Sequence, residues 1–284
     1  MMNYHENNII DFRKLEPYTT TRIISSNRYG KSSIVDIILF CLFDIFSRND
    51  ERELIINSDK TNMFCSLLFE INNKKYLIKR YGNREYIKTK LCFSYHNKKF
   101  NKILYSIDAN NKINELIGNY DDYISSCFIL QNSPSLPINN IQKLLPLQNK
   151  INKLLSLFNF FNIEFKPNDP NCDEYDDRYD DCYIMINILK KNVKHNIITA
   201  SEYEKKIFCL IYRIVLSKSL RPKPNFFIID GLQFFDDLVK IMKYIKTKFE
   251  LVLVICSNIN AEKYIDNTFE IKNITNYISH INIS

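Results

Sequence analysis

Apolar residues recur along this chain with two distinct periods. Ile34 to Phe43 is almost continuously apolar and follows Gly30-Lys31-Ser32-Ser33, which predicts a helix buried around most of its circumference. Met63 to Ile71, Lys74 to Tyr81 and Tyr86 to Tyr95 alternate apolar and polar positions instead. They predict an antiparallel meander with turns at Asn72-Asn73 and Gly82-Asn83. Ile141 to Phe161 returns to helical spacing, with apolar residues at 144, 145, 147, 151, 154, 155 and 158. Ser201-Glu202-Tyr203-Glu204 has the form of a capping box ahead of an apolar-periodic helix from Ile207 to Leu216. Beyond Pro222 and Pro224, two hydrophobic strands, Asn225 to Asp230 and Glu250 to Cys256, flank a helix at Leu238 to Lys248. Strand, helix and strand in that order predict a parallel sheet that binds ligands at the carboxyl ends of its strands.

Between the two halves lies Lys166 to Cys182, whose prolines and like charges oppose helix and strand alike, so it reads as an exposed connector. The expected organisation is an N-terminal lobe at 1–165, a connector at 166–182 and a C-terminal lobe at 183–284, joined in one composite domain. With 284 residues and 45% apolar content the chain can bury a sizeable core. The net charge of +7 hides a division. Asp169 to Asp181 holds seven acids and one arginine, and the remainder has 38 basic and 25 acidic residues, a surplus of +13. That surplus suits a phosphate-backbone partner, and equally a lysine-rich solvated surface. The eight cysteines include no C-x-x-C pair and no neighbouring histidine cluster, so their spacing offers neither a zinc site nor a disulfide framework. Met1 to Asn8 lacks the pattern of a secretory signal, and no uncharged apolar run reaches membrane length. The expectation is a soluble intracellular protein, in cytoplasm or nucleus, with no membrane partner.

Phosphate chemistry is concentrated at Ser25 to Ser33. A phosphate-binding loop cradles its ligand with backbone N–H groups, sends a lysine to the β and γ phosphates and places a hydroxyl on Mg²⁺. Here Gly30, Lys31 and Ser32 supply those parts, while Ser25 stands where the pattern G-x-x-x-x-G-K-[ST] has its first glycine. A cation at the start of a helix opposes the helix dipole, so Lys31 at that place fits an anion.

Taken in order, these pieces resemble the ATPase head of the SMC and SbcC-type family, the ABC-class enzymes of chromosome maintenance and double-strand-break repair. Asn27 and Gly30 to Asp36 match the family's G-x-N-G-x-G-K-S-S-I-x-D loop and helix, with Ser25 and Arg28 at glycine positions. Ser125 to Asn132 looks like the Q-loop strand, Ala200 to Lys205 like the signature motif, and Asp230 like the Walker B aspartate. The resemblance implies an α/β P-loop fold, a mixed or parallel sheet flanked by helices with an antiparallel β subdomain, that binds ATP and Mg²⁺. Asn27, Arg28, Gly30, Lys31, Ser32 and Ser33 would contact nucleotide. Ser32, Gln131 and Asp230 would serve the metal, Gln131 would sense the attacking water, and Ser201 would meet nucleotide on an opposing head. Implied partners are DNA, a second head in a homo- or heterodimer, or a nuclease subunit.

Several positions depart from that pattern. Gly231 follows Asp230 where the family carries its catalytic glutamate, or that glutamate is deleted so that Gly231 aligns one place later and Asp236 falls at the family's D-loop aspartate. Either way the base is absent from its usual place, with Asp236, Asp237 or a partner's residue as the substitutes. Glu202 replaces the signature glycine, and Asn258 replaces the switch histidine. Only the acidic connector stands where the family inserts a coiled coil. The expected function is therefore an ATP-binding head in DNA repair, recombination or genome maintenance with weak or absent hydrolysis. Two alternatives stand beside it: a nucleotide-independent pseudo-ATPase serving as a DNA-binding or assembly module, and a small-molecule P-loop kinase.

Overall fold

The computed structural model describes residues 8–24, 30–45, 56, 60–94, 102–130, 141–167, 182–188, 193–231, 238–255, 265–275 and 278–283. Its centre is a six-stranded sheet built from both halves of the chain. The strands are β1 (Thr19–Ile24), β6 (Phe128–Ile129), β10 (Phe226–Asp230), β11 (Leu251–Ile255), β12 (Asn267–Thr275) and β13 (Ile278–Ile283), in the order β13-β12-β1-β11-β10-β6. All pair in parallel except β13, which closes an antiparallel hairpin with β12. Strands covered on both faces read as unbroken apolar runs. Phe227-Ile228-Ile229 and Val252-Leu253-Val254 fit this, each residue being no more than 1% exposed.

Side-chain alternation sends the two faces of this sheet into separate cores. Ile23, Phe128, Ile228, Leu253 and Ile255 face helix α1 (Lys31–Phe43) and the antiparallel sheet of β2 (Asn62–Ile71), β3 (Lys74–Asn83), β4 (Ile87–Ser94) and β5 (Lys102–Tyr105), with α2 (Ser106–Ile117) and α3 (Tyr120–Ile124). Ile129, Phe227, Ile229, Val252 and Val254 face α4 (Ile141–Leu157), α5 (Glu202–Ser217) and α6 (Leu238–Lys246). Helix α1 has no single apolar stripe because it lies between two sheets. Val35 and Leu39 join the core under the parallel sheet, while Phe40 and Cys41 pack with Met63 and Cys65 of β2. Each such fully buried aliphatic or aromatic side chain contributes roughly 1.5–3 kcal/mol, so α1 is held far more by packing than by helix propensity.

The meander, the capped helix and the strand–helix–strand unit stand close to where the hydrophobic pattern puts them, but the expected turn at Gly82-Asn83 is strand: both residues belong to β3, paired with Met63 and Asn62, and the chain turns between Asn83 and Tyr86. Other boundaries differ as well. The helix from Ile141 stops at Leu157, because Asn159 turns to φ 60° and brings Phe158 and Phe161 back into the core. Lys166 and Pro167 belong to β7 (Asn162–Pro167) and Cys182 to β8 (Cys182–Ile188), so paired strands enter both ends of the expected connector. Together with β9 (Val193–Asn196) they form a three-stranded antiparallel sheet. Of the expected strand from Ser125 to Asn132, the described residues 125–130 form strand only at Phe128–Ile129, and 131 and 132 lie outside the described residues. The Ser125 and Ser126 hydroxyls instead cap α3, donating to the carbonyls of Asp121 and Asp122 at 2.5 Å each. Helix α6 ends at Lys246 rather than Lys248.

Candidate functional site

The parallel register fixes which groups meet at one edge. Ile23 pairs with Ile255, Ile255 with Asp230, and Ile229 with Ile129, so β1, β11, β10 and β6 all reach their carboxyl ends at the same level. Beyond that edge the chain continues from β1 toward Gly30 and α1, from β6 toward Leu130, and from β10 into Gly231. Strands β1 and β10 flank β11, two strand spacings or about 10 Å apart. Asp230 shares the sheet face of Ile228, which is the face covered by α1. Its carboxylate is 7% exposed, a polar group held at the rim of a hydrophobic layer.

Gly30 is the N-cap of α1 at φ 84°, ψ 19°, a left-handed conformation that glycine adopts without a Cβ clash. It lets the chain turn sharply into the helix, and its carbonyl accepts from the Ser33 N–H at 3.0 Å. Lys31 is then the first helical residue, Ser32 the second and the buried Ser33 the third, with no acidic residue in that first turn. The positive end of the helix dipole and a lysine at the first helical position suit an anion. Mg²⁺ is ordinarily held by one or two carboxylates together with phosphate oxygens, and Ser32 and Asp230 are the donor types such an ion would draw on here. Gly231 is also left-handed, at φ 80°, and its N–H donates to the Ile255 carbonyl at 3.2 Å, turning the chain away directly after Asp230.

Structure thus gathers Gly30, Lys31, Ser32, Ser33 and Asp230 at one edge. Asn27, Arg28, Gln131, Asp236, Asp237 and Asn258 lie outside the described residues. Ser201 is not gathered with them, since it opens α5 on the opposite face of the sheet. There it forms a closed capping box. Its Oγ donates to Glu204 Oε2 at 2.7 Å, its N–H donates to the same oxygen at 2.8 Å, and the Glu204 N–H returns to Ser201 Oγ at 3.3 Å. His195 Nε2 lies 3.6 Å from that carboxylate. Partial burial raises the Glu204 pKa, but the Ser201 hydrogen bonds and the neighbouring His195 outweigh it and leave the group below its usual range. Glu202 turns outward to Lys205 at 3.3 Å and is 78% exposed.

One site-building residue escaped the sequence reading. Arg213, 2% exposed on α5, donates from Nη1 to the Ile124 carbonyl at 3.1 Å, tying α5 to the end of α3 just before β6. An arginine inside the apolar run Cys209 to Leu216 was the available signal. Beside it burial pushes the Cys127 thiol up to about 12 and raises the Tyr123 phenol, so neither is charged near neutrality.

No protein-family model matches the chain. It is 38% identical over 156 residues to "Uncharacterized protein R555" of Acanthamoeba polyphaga mimivirus and 34% identical over 134 residues to the "DNA double-strand break repair Rad50 ATPase" of Sulfolobus acidocaldarius. These matches take in 50% and 46% of this chain but 12% and 15% of those relatives, so the chain spans a small part of their length. Among solved structures, the SMC head bound to the C-winged helix domain of ScpA is similar over 95% of this chain and 91% of its own, with a TM-score of 0.65 at 15% identity. The SMC head domain from Thermotoga maritima covers 95% and 91% at a TM-score of 0.55 and 16% identity. The recombination mediator RecF covers 98% and 95% at 0.54 and 12%. In fold, the chain is similar to these SMC head domains and to RecF: an α/β sheet flanked by helices, with an antiparallel β subdomain.

Proposed function

We propose that this head binds Mg·ATP and works in DNA repair, recombination or genome maintenance with little or no ATP hydrolysis. The observation that supports it most is the common edge where Lys31 opens α1 and Asp230 ends β10 on one parallel sheet. Gly30 and the first turn of α1 would cradle phosphate, Lys31 would neutralise its charge, and Ser32 with Asp230 would hold the metal. The nucleotide supplies a transferable phosphoryl group. What this chain lacks after Asp230 is a carboxylate to orient water, and losing a general base costs roughly 10²–10⁴ in rate. The Rad50 and RecF likenesses favour a DNA-directed role.

Differential scanning fluorimetry tests the binding claim. Nucleotide at about 100 times its dissociation constant stabilises a protein by about 2.7 kcal/mol, a rise in Tm of several degrees, and Lys31→Ala should remove it. No shift at saturating Mg·ATP rejects the reading. A pseudo-ATPase is the second reading, favoured by the left-handed backbone at Gly231, which leaves no unstrained place for a glutamate there, and by a Ser201 hydroxyl already engaged with Glu204. DNA binding with a steep salt dependence and no response to ATP would select it.

A further inference from the structure

The antiparallel sheet β2–β5 turns one face to the core and the other away from it, and the outer face is not an ordinary solvated surface. Positions 64, 66 and 68 of β2, 77, 79 and 81 of β3, 88, 90 and 92 of β4, and 103 and 105 of β5 share that face through the cross-strand register. Sheets with one wet face ordinarily place polar residues there. Here Phe64 and Tyr105 are each 55% exposed, and Leu68 and Ile103 are 46% and 42% exposed.

Lysines occupy the positions between the rings. Lys79 on β3 is directly opposite Lys90 on β4, Tyr81 is opposite Lys88, Phe64 is opposite Tyr81, and Lys90 is opposite Tyr105. Like charges placed directly across a ladder destabilise it, so the Lys79–Lys90 pair is a cost that folding alone does not reward. An anion lying on this face removes the cost. Two of these lysines already rest against aromatic rings, Lys90 Nζ at 5.5 Å from the Tyr105 centroid and Lys88 Nζ at 5.4 Å from that of Tyr86, which is itself 53% exposed. One row further along, Lys75 stands directly opposite Glu70, the carboxylate among the described positions of this face, so the unbalanced positive charge lies on Lys79, Lys88 and Lys90.

We infer that this face binds single-stranded DNA, with bases stacked on Phe64 and Tyr105 and phosphates on Lys79, Lys88 and Lys90. A positively charged surface that carries stacking rings is the recurring solution for single strands, and a four-stranded sheet with exposed aromatics accommodates two or three bases. Phe64 and Tyr105 stand on the outermost strands, three strand spacings or about 14 Å apart, a separation of that scale. A duplex offers these rings no base face, so stacking discriminates against it. The choice of DNA over RNA rests on the proposed role of the head; the stacking surface itself does not depend on the nucleotide site, which is built at the first turn of α1 and the end of β10.

Fluorescence anisotropy with the full chain and a short labelled oligo(dT) tests this. Oligo(dT) should bind more tightly than a duplex of equal length. Phe64→Ala and Tyr105→Ala should each weaken it about 5- to 150-fold, with unchanged melting because both rings are exposed. Changing Lys79, Lys88 and Lys90 together to Gln should flatten the slope of log affinity against log salt by about 2, from about 0.7 per phosphate contact. Equal affinity for duplex, or ring variants that bind like the wild type, would overturn the stacking claim. Preference for oligo(U) would overturn the assignment to DNA. Absent oligo(dT) binding with an intact Mg·ATP shift defeats this inference alone; oligo(dT) binding without any nucleotide shift defeats the ATP-binding reading and leaves the stacking surface standing.

Discussion

Four glycines serve the whole chain, and two of them, Gly30 and Gly231, sit where β1 hands over to α1 and where β10 ends. Both have φ near +80°, where a Cβ costs roughly 1–2 kcal/mol. Gly30→Ala should therefore lower the unfolding free energy by about that amount in urea titration and weaken the nucleotide response with it. The same geometry bears on catalysis. Placing a glutamate after Asp230 by Gly231→Glu forces a side chain into a left-handed residue, so the variant should be less stable and gain no ATPase activity. A tenfold rise in turnover would show that the residue after Asp230 can be repurposed. Glu204 gives a pH prediction with a definite sign. Its folded pKa lies below the ordinary 4.5, so its carboxylate stabilises the fold fully above that pH and loses the contribution as pH falls through the folded value. Glutamine retains the capping geometry without the charge. The stability gap between wild type and Glu204→Gln should be constant near neutrality and close in acid.

Among elements, β6 is the weakest member of the central sheet, two residues long and paired on one side, to β10. Its position is fixed from outside the ladder by Arg213, whose guanidinium holds the Ile124 carbonyl. Arg213→Leu leaves that carbonyl without its buried donor, at a cost of about 1–3 kcal/mol. Amide exchange should accelerate in residues 124–130 before it does in β10 or β11; equal acceleration throughout would mean a global effect only. The helix-and-strand alternation after Ser201 was legible because apolar period and cap agree there. Strand β1 was not, because Thr19-Thr20-Thr21-Arg22 looks polar and only the parallel neighbours β11 and β12 bury it. Strand β7 was hidden for another reason. Its edge is satisfied by side-chain amides of α4, Asn152 with both backbone groups of Ile163 at 2.9 and 2.8 Å and Gln148 with the Phe165 N–H at 2.8 Å, and polar residues on a helix do not announce such a role. At the site, Lys31 and Asp230 could be read from motif order, but that they share one edge depends on pairing between distant segments.

The whole molecule depends on that pairing. Among the described residues, those up to 167 contribute β1 and β6 to the central sheet, and these two strands never touch, since β11 and β10 lie between them. The later residues contribute β10–β13, whose apolar faces need α1 and α4 from the earlier part. Each lobe alone would expose its share of two hydrophobic cores, and only the antiparallel sheet with α1 and α2 has a local core to fall back on. Fragments 1–167 and 168–284 expressed separately should therefore lack cooperative unfolding. In the first fragment, amides of β2–β4 should keep partial exchange protection while those of β1 and β6 keep none. Co-expressed, the fragments should co-purify and recover a single melting transition together with the Mg·ATP shift, because Lys31 and Asp230 arrive from different fragments. A cooperative transition in 1–167 alone, with β1 protected, would mean that the nucleotide edge assembles without the second lobe and that the two-lobe account of the site is wrong.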